Sequence, residues 1–265
     1  MSLIKSIPNT ITCLNLLSGC FAVVNATYGN FRAAFLCIIA AAVFDFLDGF
    51  CARLLKAYSP MGKELDSLAD MVSFGVAPAM MMYTFSKITV EGYVGMAFST
   101  SLTSVIGRNF LVYAPLAIAV FSGLRLAKFN IDERQTENFI GLATPSCAMI
   151  CGSLLYASDV YPYVTVFLQD NSWFVPALSL ILSYLLVCEI PMFSFKFKNF
   201  SVKDNAVRFT FVGLSAVVAI ISVIFGFNWS VWVFATFVVY ILLYIPYRHI
   251  FFPQHYDKGK HPCII

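Results

Sequence analysis

The sequence FDFLDGFCARLLKAYSPMGKELDSLAD, residues 44–70, contains four aspartates in a chain that is otherwise strongly apolar. The four are Asp45, Asp48, Asp66 and Asp70. Of the 265 residues, 60% are hydrophobic and only 12% are charged, whereas a soluble domain carries about 25% charged residues. The composition therefore predicts an integral membrane protein, in which acidic residues at membrane depth are costly and commonly functional. The net charge of +3 is too small to indicate a nucleic-acid partner.

Eight apolar segments approach the roughly 20 residues that a membrane-spanning helix needs. They are 9–28, 32–55, 64–86, 108–128, 142–160, 172–194, 206–226 and 229–249. The stretch 92–106 is compatible with a re-entrant or an interfacial helix that leads into the fourth segment, and whether it crosses the membrane is left open. The sequence thus predicts an all-α integral membrane protein with about eight transmembrane helices.

The distribution of lysine and arginine predicts the orientation of these helices. With the N-terminus inside, 14 of the 17 basic residues fall at cytoplasmic ends, and only Arg32, Lys87 and Arg108 fall outside. Such an excess of basic residues is typical of cytoplasmic loops. The turn between the second and third helices, and with it the four aspartates, is therefore expected at the cytoplasmic face of the inner membrane.

The spacing of the aspartates predicts two facing pairs of carboxylates. Asp45 and Asp48 lie three residues apart, and Asp66 and Asp70 lie four apart, so each pair occupies one face of its helix. A short turn joins the two helices, and we expect them to be antiparallel neighbours. Facing carboxylates repel one another unless cations lie between them. Because hard divalent ions prefer oxygen ligands, we expect two ions of Mg²⁺ or Mn²⁺ in this site.

Small residues and one arginine accompany the aspartates. Gly49, Ala52 and Gly62 share the acidic faces, and small side chains let a ligand approach the backbone. Arg53 follows at the polar end of its helix, where a guanidinium can bind phosphate. Carboxylates, divalent ions, open backbone and an arginine together predict a site for a metal-bound diphosphate.

The same residues carry a resemblance to a known family. The pattern Asp45-x2-Asp48-Gly49-x2-Ala52-Arg53-x8-Gly62-x3-Asp66-x3-Asp70 resembles the signature of the CDP-alcohol phosphatidyltransferases at all eight fixed positions. The resemblance implies a membrane enzyme that transfers a phosphatidyl group from a CDP-linked lipid to an alcohol and releases CMP. It also implies a homodimer and a six-helix core. We expect residues 1–200 to form the core, and residues 201–265 to add two transmembrane helices and a cytoplasmic tail.

Four further segments resemble the phosphatidylserine synthase branch of that family. They are Ile7–Asn15, Ser73–Ala79, Gly123–Asn130 and Gly141–Pro145. The last segment departs from the branch at Ala143, where those enzymes carry a proline. The resemblance implies CDP-diacylglycerol as donor and L-serine as acceptor, in a surrounding of membrane lipids.

The resemblance also implies roles for individual residues. Asp45, Asp48, Asp66 and Asp70 would hold the two ions, and Asp70 would be the general base that takes the proton of the serine hydroxyl. The expected nucleotide-binding residues are Asn9, Thr12, Gly49, Ala52, Arg53, Gly62 and Asp66. For Asn9 and Thr12, a polar packing contact between helices is an equally weighted interpretation.

Acceptor binding is assigned to the end of the fourth helix. Arg125 and Lys128 could meet the carboxylate of serine, and Asn130 could bind the acceptor through its amide. A plain topology signal is an alternative role for the two cations. Glu189, near the inner end of the sixth segment, is expected to pair with a nearby base.

Two other functions are weighed against this one. Within the family, the acceptor could be inositol phosphate or glycerol phosphate, or the donor could be an archaeal lipid. Outside it, intramembrane aspartates also mark cation transporters. A transporter commonly contains inverted repeats, which the sequence does not show. It also has no need of Gly49, Ala52, Arg53 and Gly62 at these spacings.

Overall fold

The computed structural model describes residues 3–94, 102–131, 139–189, 191–192 and 206–251, and nearly all of them are helical. The helices are α1 (Leu3–Thr27), α2 (Phe31–Leu54), α3 (Pro60–Asp70), α4 (Ala77–Val94), α5 (Leu102–Tyr113), α6 (Ala117–Ile131), α7 (Thr144–Val160), α8 (Pro162–Asp170), α9 (Phe174–Val187), α10 (Ala206–Ile224) and α11 (Trp229–Phe251). A π-helix, Met71–Val76, joins α3 to α4, and a 3₁₀ turn, Ala114–Leu116, joins α5 to α6. The short strands β1 (Phe139–Ile140) and β2 (Pro191–Met192) pair in antiparallel orientation.

The predicted class, an all-α integral membrane protein, is confirmed. Among the described residues, four helical stretches are long and apolar enough to cross a membrane: Ser6–Thr27, Phe31–Leu54, Pro60–Val90 and Asn109–Ile131. The pair α8 and α9, bent by 86°, would make a fifth, and shorter apolar helices lie at Phe209–Ile224 and Trp229–Leu243. All eight predicted segments contain a helix, but α7 is only 17 residues long. Of the ambiguous stretch 92–106, residues 95–101 lie outside the described part of the chain.

One face of helix α1, hereafter the seam, contacts the helices that carry the candidate site residues. Its buried residues recur every three or four positions, as expected for one helix face. They are Pro8, Thr12, Asn15, Gly19, Ala22 and Ala26. Small and polar residues at such a seam let helices approach closely in a membrane. Accordingly, α1 packs against α2, α3, the π-helix and α4.

The position of α1 changes the expected relation of the two acidic helices. The short turn between α2 and α3 predicts that they are direct neighbours. Instead, α1 contacts each of them far more extensively than they contact one another. The small residues of α1 allow this arrangement, because they leave room for both helices to lie against the same seam. The aspartates of α2 and α3 therefore approach one another beside α1, which packs against both helices.

The turn between α2 and α3 follows from its sequence. Lys56 has a positive φ of 49°, which reverses the chain after α2. The Ser59 hydroxyl then accepts a hydrogen bond from the Gly62 N–H at 3.0 Å and caps the first turn of α3. Pro60 occupies the first helical turn, where its missing N–H costs nothing. The cap fixes where α3 begins and hence where Asp66 lies.

An aromatic cluster connects the C-terminal helices to the rest of the bundle. Trp229, at the start of α11, stacks on Phe35 of α2 with ring centroids 5.6 Å apart. The same indole contacts Tyr156 of α7 at 4.8 Å. Gly152 admits the Phe35 ring, because a Cβ there would lie 2.1 Å from a ring atom. The division of the chain at residue 200 stays a prediction, although α11 packs directly on α7.

The segment before α7 shows why an alanine can replace the usual proline. Gly141 has a φ of +78°, and a Cβ there would lie 2.6 Å from the Leu186 carbonyl oxygen, so only glycine fits. The next residue, Leu142, donates its N–H to the Leu185 carbonyl at 2.8 Å. Ala143 then has φ −65° and ψ 137°, and this φ is the value that proline imposes. The backbone thus keeps the proline conformation without the proline.

We expect Ala143→Pro to stabilise the protein. The native φ suits proline, and the Ala143 N–H makes no hydrogen bond to the described residues that the substitution would remove. The free energy of unfolding should rise by about 0.4–1 kcal/mol, because proline restricts the unfolded chain. Leu142→Pro is the matched control and should destabilise, since it removes the hydrogen bond to Leu185. Melting temperatures in one detergent would measure both, and a lower value for Ala143→Pro would contradict the prediction.

Candidate active site

Three of the predicted acidic residues converge in space. Carboxylate oxygens of Asp45, Asp48 and Asp66 all lie within 4.8 Å of one another. Two oxygens bound to the same Mg²⁺ are at most about 4.2 Å apart, twice the usual metal–oxygen distance. A small adjustment of the side chains would therefore let these three residues, hereafter the aspartate trio, share a divalent ion.

The surroundings of the trio fit a cation. Asp48 is only 6% exposed, and its Oδ2 atom is buried without a hydrogen-bond partner among the described residues. The Oδ1 atom of Asp66 is likewise buried without a hydrogen-bond partner among the described residues. A buried carboxylate oxygen without a partner is costly. The donor set consists of carboxylate oxygens, which suits hard ions such as Mg²⁺ or Mn²⁺.

Asp70 lies one helical turn beyond Asp66 on α3 and outside the trio. Its Oδ1 atom accepts a hydrogen bond from the Asn15 side-chain amide of α1 at 3.3 Å. It also interacts electrostatically with Asp45 and Asp66, so it belongs to the same charged region. The π-helix begins at the next residue, and short π-helical segments frequently occur at functional sites.

Helix α1 contributes the predicted nucleotide-binding residues Asn9 and Thr12. A Cβ on Gly62 would lie 3.0 Å from the Asn9 Oδ1 atom, so the absence of a side chain at Gly62 leaves Asn9 its position beside α3. Thr12 is buried, donates its hydroxyl to the Pro8 carbonyl at 3.0 Å, and adjoins the Asp48 carboxylate. Both residues therefore border the acidic cluster as well as packing between helices.

The remaining nucleotide-binding candidates lie on α2 beyond Asp48. The Nη1 atom of Arg53 lies 3.6 Å from the position that a Cβ on Gly49 would occupy, so the exposed arginine extends back along its helix. The half-buried Ala52 accepts the Ala57 N–H at 3.0 Å in the turn that ends α2. Arg53 thus provides an exposed positive charge about one turn away from the trio.

Arg125 is the acceptor-binding candidate that the structure brings near the acids. The residue is only 7% exposed, and its Nη1 atom donates to the Thr144 hydroxyl at 3.3 Å. The guanidinium lies 6.0 Å from the Phe129 ring centroid and interacts electrostatically with Asp70. Its Nε atom is buried without a hydrogen-bond partner within the described part of the chain. A buried arginine with an open donor is more than a topology signal.

Lys128 and Asn130 instead connect structural elements. Lys128 forms an ion pair with Glu189 at 3.2 Å, which confirms the prediction that Glu189 pairs with a nearby base. Asn130 donates its amide to the Ser67 hydroxyl at 2.9 Å, and its carbonyl accepts the Lys63 ammonium at 3.4 Å. These contacts join α6 to α3 and to the end of α9, beside the acidic region.

Comparison with known proteins identifies the family. The family model described as CDP-alcohol phosphatidyltransferase matches residues 5–185, which is more than half of the chain. The chain belongs to this family. As a CDP-alcohol phosphatidyltransferase it contains α1 to most of α9 within the matched range, whereas α10 and α11 lie outside it.

Individual relatives of this phosphatidyltransferase carry more specific names. The CDP-diacylglycerol–serine O-phosphatidyltransferase of Bacillus subtilis is 34% identical over 190 residues, covering 72% of this chain and 91% of the relative. The enzyme of the same name from Helicobacter pylori is 31% identical over 209 residues, covering 77% of each chain. The archaetidylserine synthase of Methanothermobacter thermautotrophicus is 33% identical over 158 residues, covering 59% of this chain and 60% of the relative.

Asn15 and Ser73 of this phosphatidyltransferase contact the acidic region although no sequence motif marks them for a role. Asn15 follows Thr12 by three residues on the buried seam of α1, so the helical period could have identified it as a neighbour of the acids. The Ser73 hydroxyl donates to the Asn15 carbonyl at 3.1 Å. No local pattern predicts that contact, because it depends on how α1 crosses the π-helix.

We expect Asp48→Asn to weaken binding of Mn²⁺ by at least about tenfold, because a neutral amide replaces a charged ligand of the trio. Titration of the purified protein with Mn²⁺, followed by electron paramagnetic resonance of the free ion, measures the affinity without turnover. Asp159→Asn is the matched control, since Asp159 pairs with Arg32, roughly 20 Å along α2 from Asp45. Equal affinities for Asp48→Asn and the control would count against the trio as a metal site.

Proposed function

We propose that the protein transfers the phosphatidyl group of CDP-diacylglycerol to the hydroxyl of L-serine, giving phosphatidylserine and CMP. The observation that carries the proposal is the convergence of the aspartate trio with Asp70 one turn away and the buried Arg125 beside it. The names of the Bacillus and Helicobacter relatives support the donor and the acceptor. An inward-facing set of carboxylates and an arginine suits a reaction between a diphosphate and an amino acid.

We further propose that the trio and Asp70 together hold two divalent ions, Mg²⁺ or Mn²⁺. Ions bound there would withdraw charge from the diphosphate oxygens and stabilise the departing CMP. The partnerless oxygens of Asp48 and Asp66 support this assignment. Four carboxylates carry four negative charges, which two divalent ions would balance.

The donor nucleotide would bind along α1 and α2. Gly49 and Gly62 leave the backbone accessible beside the acids, which suits the approach of ribose and cytosine. Arg53, exposed one turn beyond the trio, would bind a phosphate oxygen of CDP. Asn9 and Thr12 border the same space and would donate or accept hydrogen bonds there.

Asp70 would be the general base. Its Oδ1 atom accepts the Asn15 amide, which leaves the Oδ2 atom for the acceptor. In the proposed step, the serine hydroxyl gives its proton to Asp70. The serine oxygen forms a bond to the phosphatidyl phosphorus, while the bond from that phosphorus to the CMP oxygen breaks. CMP leaves with the electron pair, and Arg125 would hold the serine carboxylate during the step.

The site is proposed to face the cytoplasm. Lys63 and Lys128 lie at the same end of the bundle as the acids, and basic residues mark cytoplasmic ends. CDP-linked lipids carry a water-soluble head group, so an opening toward the aqueous side is chemically sensible. We also propose that the protein resides in the inner membrane as a homodimer, as the family resemblance implies.

A second candidate uses the same reaction with an archaeal lipid as donor. The similarity to an archaetidylserine synthase favours it, because the head-group chemistry would be unchanged. The two candidates differ in the hydrocarbon chains, which would lie against the apolar outer faces of α1 and α2. Those faces expose side chains such as Phe21, Phe46 and Phe50.

We expect CMP release when purified protein receives CDP-diacylglycerol, Mn²⁺ and L-serine, and no release with inositol phosphate or glycerol phosphate. Labelled acceptors tested one at a time, followed by lipid extraction, identify the product. A parallel reaction with a CDP-linked archaeal lipid compares the two donors. Product formation with another acceptor, in the absence of any with serine, would exclude the proposed function.

We expect Asp70→Asn to fold and to bind CDP-diacylglycerol, but to lose turnover by roughly 10²–10⁴-fold, the usual contribution of a general base. Asparagine keeps the size and one oxygen of the side chain, so the packing beside Asn15 should survive. Retention of thermal stabilisation by CDP would establish that the nucleotide part of the donor still binds. Asp159→Asn again serves as the control, and a normal rate in Asp70→Asn would remove Asp70 from the base role.

A further inference from the structure

We infer that Asn15 selects an acceptor that carries an ammonium group, by accepting a hydrogen bond from that group through its Oδ1 atom. The inference rests on the proposed function, since it concerns the acceptor of the same site. Asn15 is fully buried in α1 and reaches Asp70 across the bundle. Its role as a specificity-determining residue follows from the orientation, burial and rigidity of its side chain.

The Asn15 side chain presents its amide nitrogen to Asp70. The nitrogen donates a hydrogen bond to the Asp70 Oδ1 atom at 3.3 Å. In the proposed function Asp70 is the base, and its ionised carboxylate accepts hydrogen bonds and cannot donate them. The amide oxygen then points away from Asp70 and is free to accept a hydrogen bond from another group.

That oxygen is a buried acceptor without a hydrogen-bond partner in the described part of the chain. The Asn15 Oδ1 atom has no hydrogen bond among the described residues, although the residue is 0% exposed. Buried polar atoms are nearly always hydrogen-bonded, and an orphan atom is costly. A hydrogen-bond donor supplied by a bound molecule would satisfy it. A charged donor such as an ammonium forms the stronger bond.

The location of the orphan oxygen favours the acceptor over the nucleotide. Asn15 binds Asp70, the proposed base, which must lie beside the acceptor hydroxyl. The nucleotide candidates lie one and two turns earlier on α1, at Thr12 and Asn9. Arg125 also interacts with Asp70, and its buried Nε–H is a donor without a hydrogen-bond partner among the described residues. An orphan acceptor and an orphan donor around one base complement the ammonium and carboxylate of a zwitterion.

The Asn15 side chain is held in place by its backbone. The Ser73 hydroxyl donates to the Asn15 carbonyl at 3.1 Å. One turn later, a Cβ on Gly19 would lie 2.9 Å from the Ser73 Cα atom, so α1 and the π-helix touch backbone to backbone. This contact prevents α1 from shifting, and Asn15 cannot leave Asp70 without breaking it. A fixed acceptor atom can discriminate between substrates, because it cannot adapt to one that lacks the donor.

The test compares L-serine with 3-hydroxypropanoate, which has the hydroxyl and the carboxylate of serine but no ammonium. For Asn15→Ala we expect the KM for serine to rise on the order of 10–100-fold, since a hydrogen bond to a charged group is lost. The inhibition constant of 3-hydroxypropanoate against serine should change by less than about threefold, because that molecule never made the bond. Any loss of alignment of Asp70 should appear in kcat.

Asn25→Ala is the matched control, because Asn25 lies on the same helix and, among the described residues, its side chain bonds locally, to the Phe21 carbonyl and to Asn30. Asn25→Ala should leave the KM for serine and the inhibition constant of 3-hydroxypropanoate unchanged. Asn15→Ser, which keeps a small polar group, replaces Asn15→Ala if the alanine variant does not purify as a folded protein. The rise in melting temperature that serine causes in the presence of CDP and Mn²⁺ measures serine binding without turnover. This rise should disappear in the Asn15 variant and persist in the wild type and in Asn25→Ala.

Three results would overturn the inference. An equal weakening of serine and 3-hydroxypropanoate binding would show that Asn15 does not recognise the ammonium group. A higher KM for CDP-diacylglycerol with an unchanged KM for serine would assign the orphan oxygen to the nucleotide. A wild-type protein that is inactive with serine would remove the proposed function together with this inference, whereas the first two results would leave the proposed function intact.

Discussion

Mutual repulsion among carboxylates is the constraint on which the rest of this structure depends. Asp45, Asp48 and Asp66 bring their oxygens within 4.8 Å of one another inside an apolar bundle. Such an arrangement persists only if the scaffold holds the helices together or a cation lies between the charges. Helix α1 supplies the scaffold, since its small and polar seam packs against both acidic helices. Repulsion among the carboxylates thus explains both why the first helix must hold α2 and α3 together and why a cation would stabilise the site.

Sequence reasoning predicts the class of fold and the acidic cluster because both depend on local signals. Apolar length identifies the helices, and spacings of three and four residues put the aspartates on common faces. The close contact of α1 with the π-helix was not predictable, since it depends on how closely the backbones of Gly19 and Ser73 approach one another. The 86° bend between α8 and α9 likewise depends on packing rather than on a hydropathy profile. The helical period could have placed Asn15 on the buried face of α1, but it could not have predicted the hydrogen bond to Asp70.

The replacement of proline by Ala143 illustrates a different limit of sequence comparison. A missing proline suggests a changed turn, yet the backbone keeps a φ of −65°. Gly141 and the hydrogen bond between Leu142 and Leu185 hold this conformation from the preceding residues. The segment therefore enters α7 with a φ that proline would also adopt, and Thr144, the partner of Arg125, follows directly. Neighbouring contacts, rather than one residue, define the entry into α7.

The bond between Asn15 and Asp70 joins residues 55 positions apart, and this separation has a consequence for biogenesis. During synthesis, the first helix enters the bilayer well before the third one leaves the ribosome. Until then the Asn15 amide lacks the Asp70 carboxylate that accepts its hydrogen bond, whereas the Thr12 hydroxyl is already bonded within the first helix. The arrival of Asp70 supplies the missing partner and locks the earlier helix into the growing bundle. The hydrogen bond that brings Asn15 beside the acids can therefore form only after the third helix has joined the first.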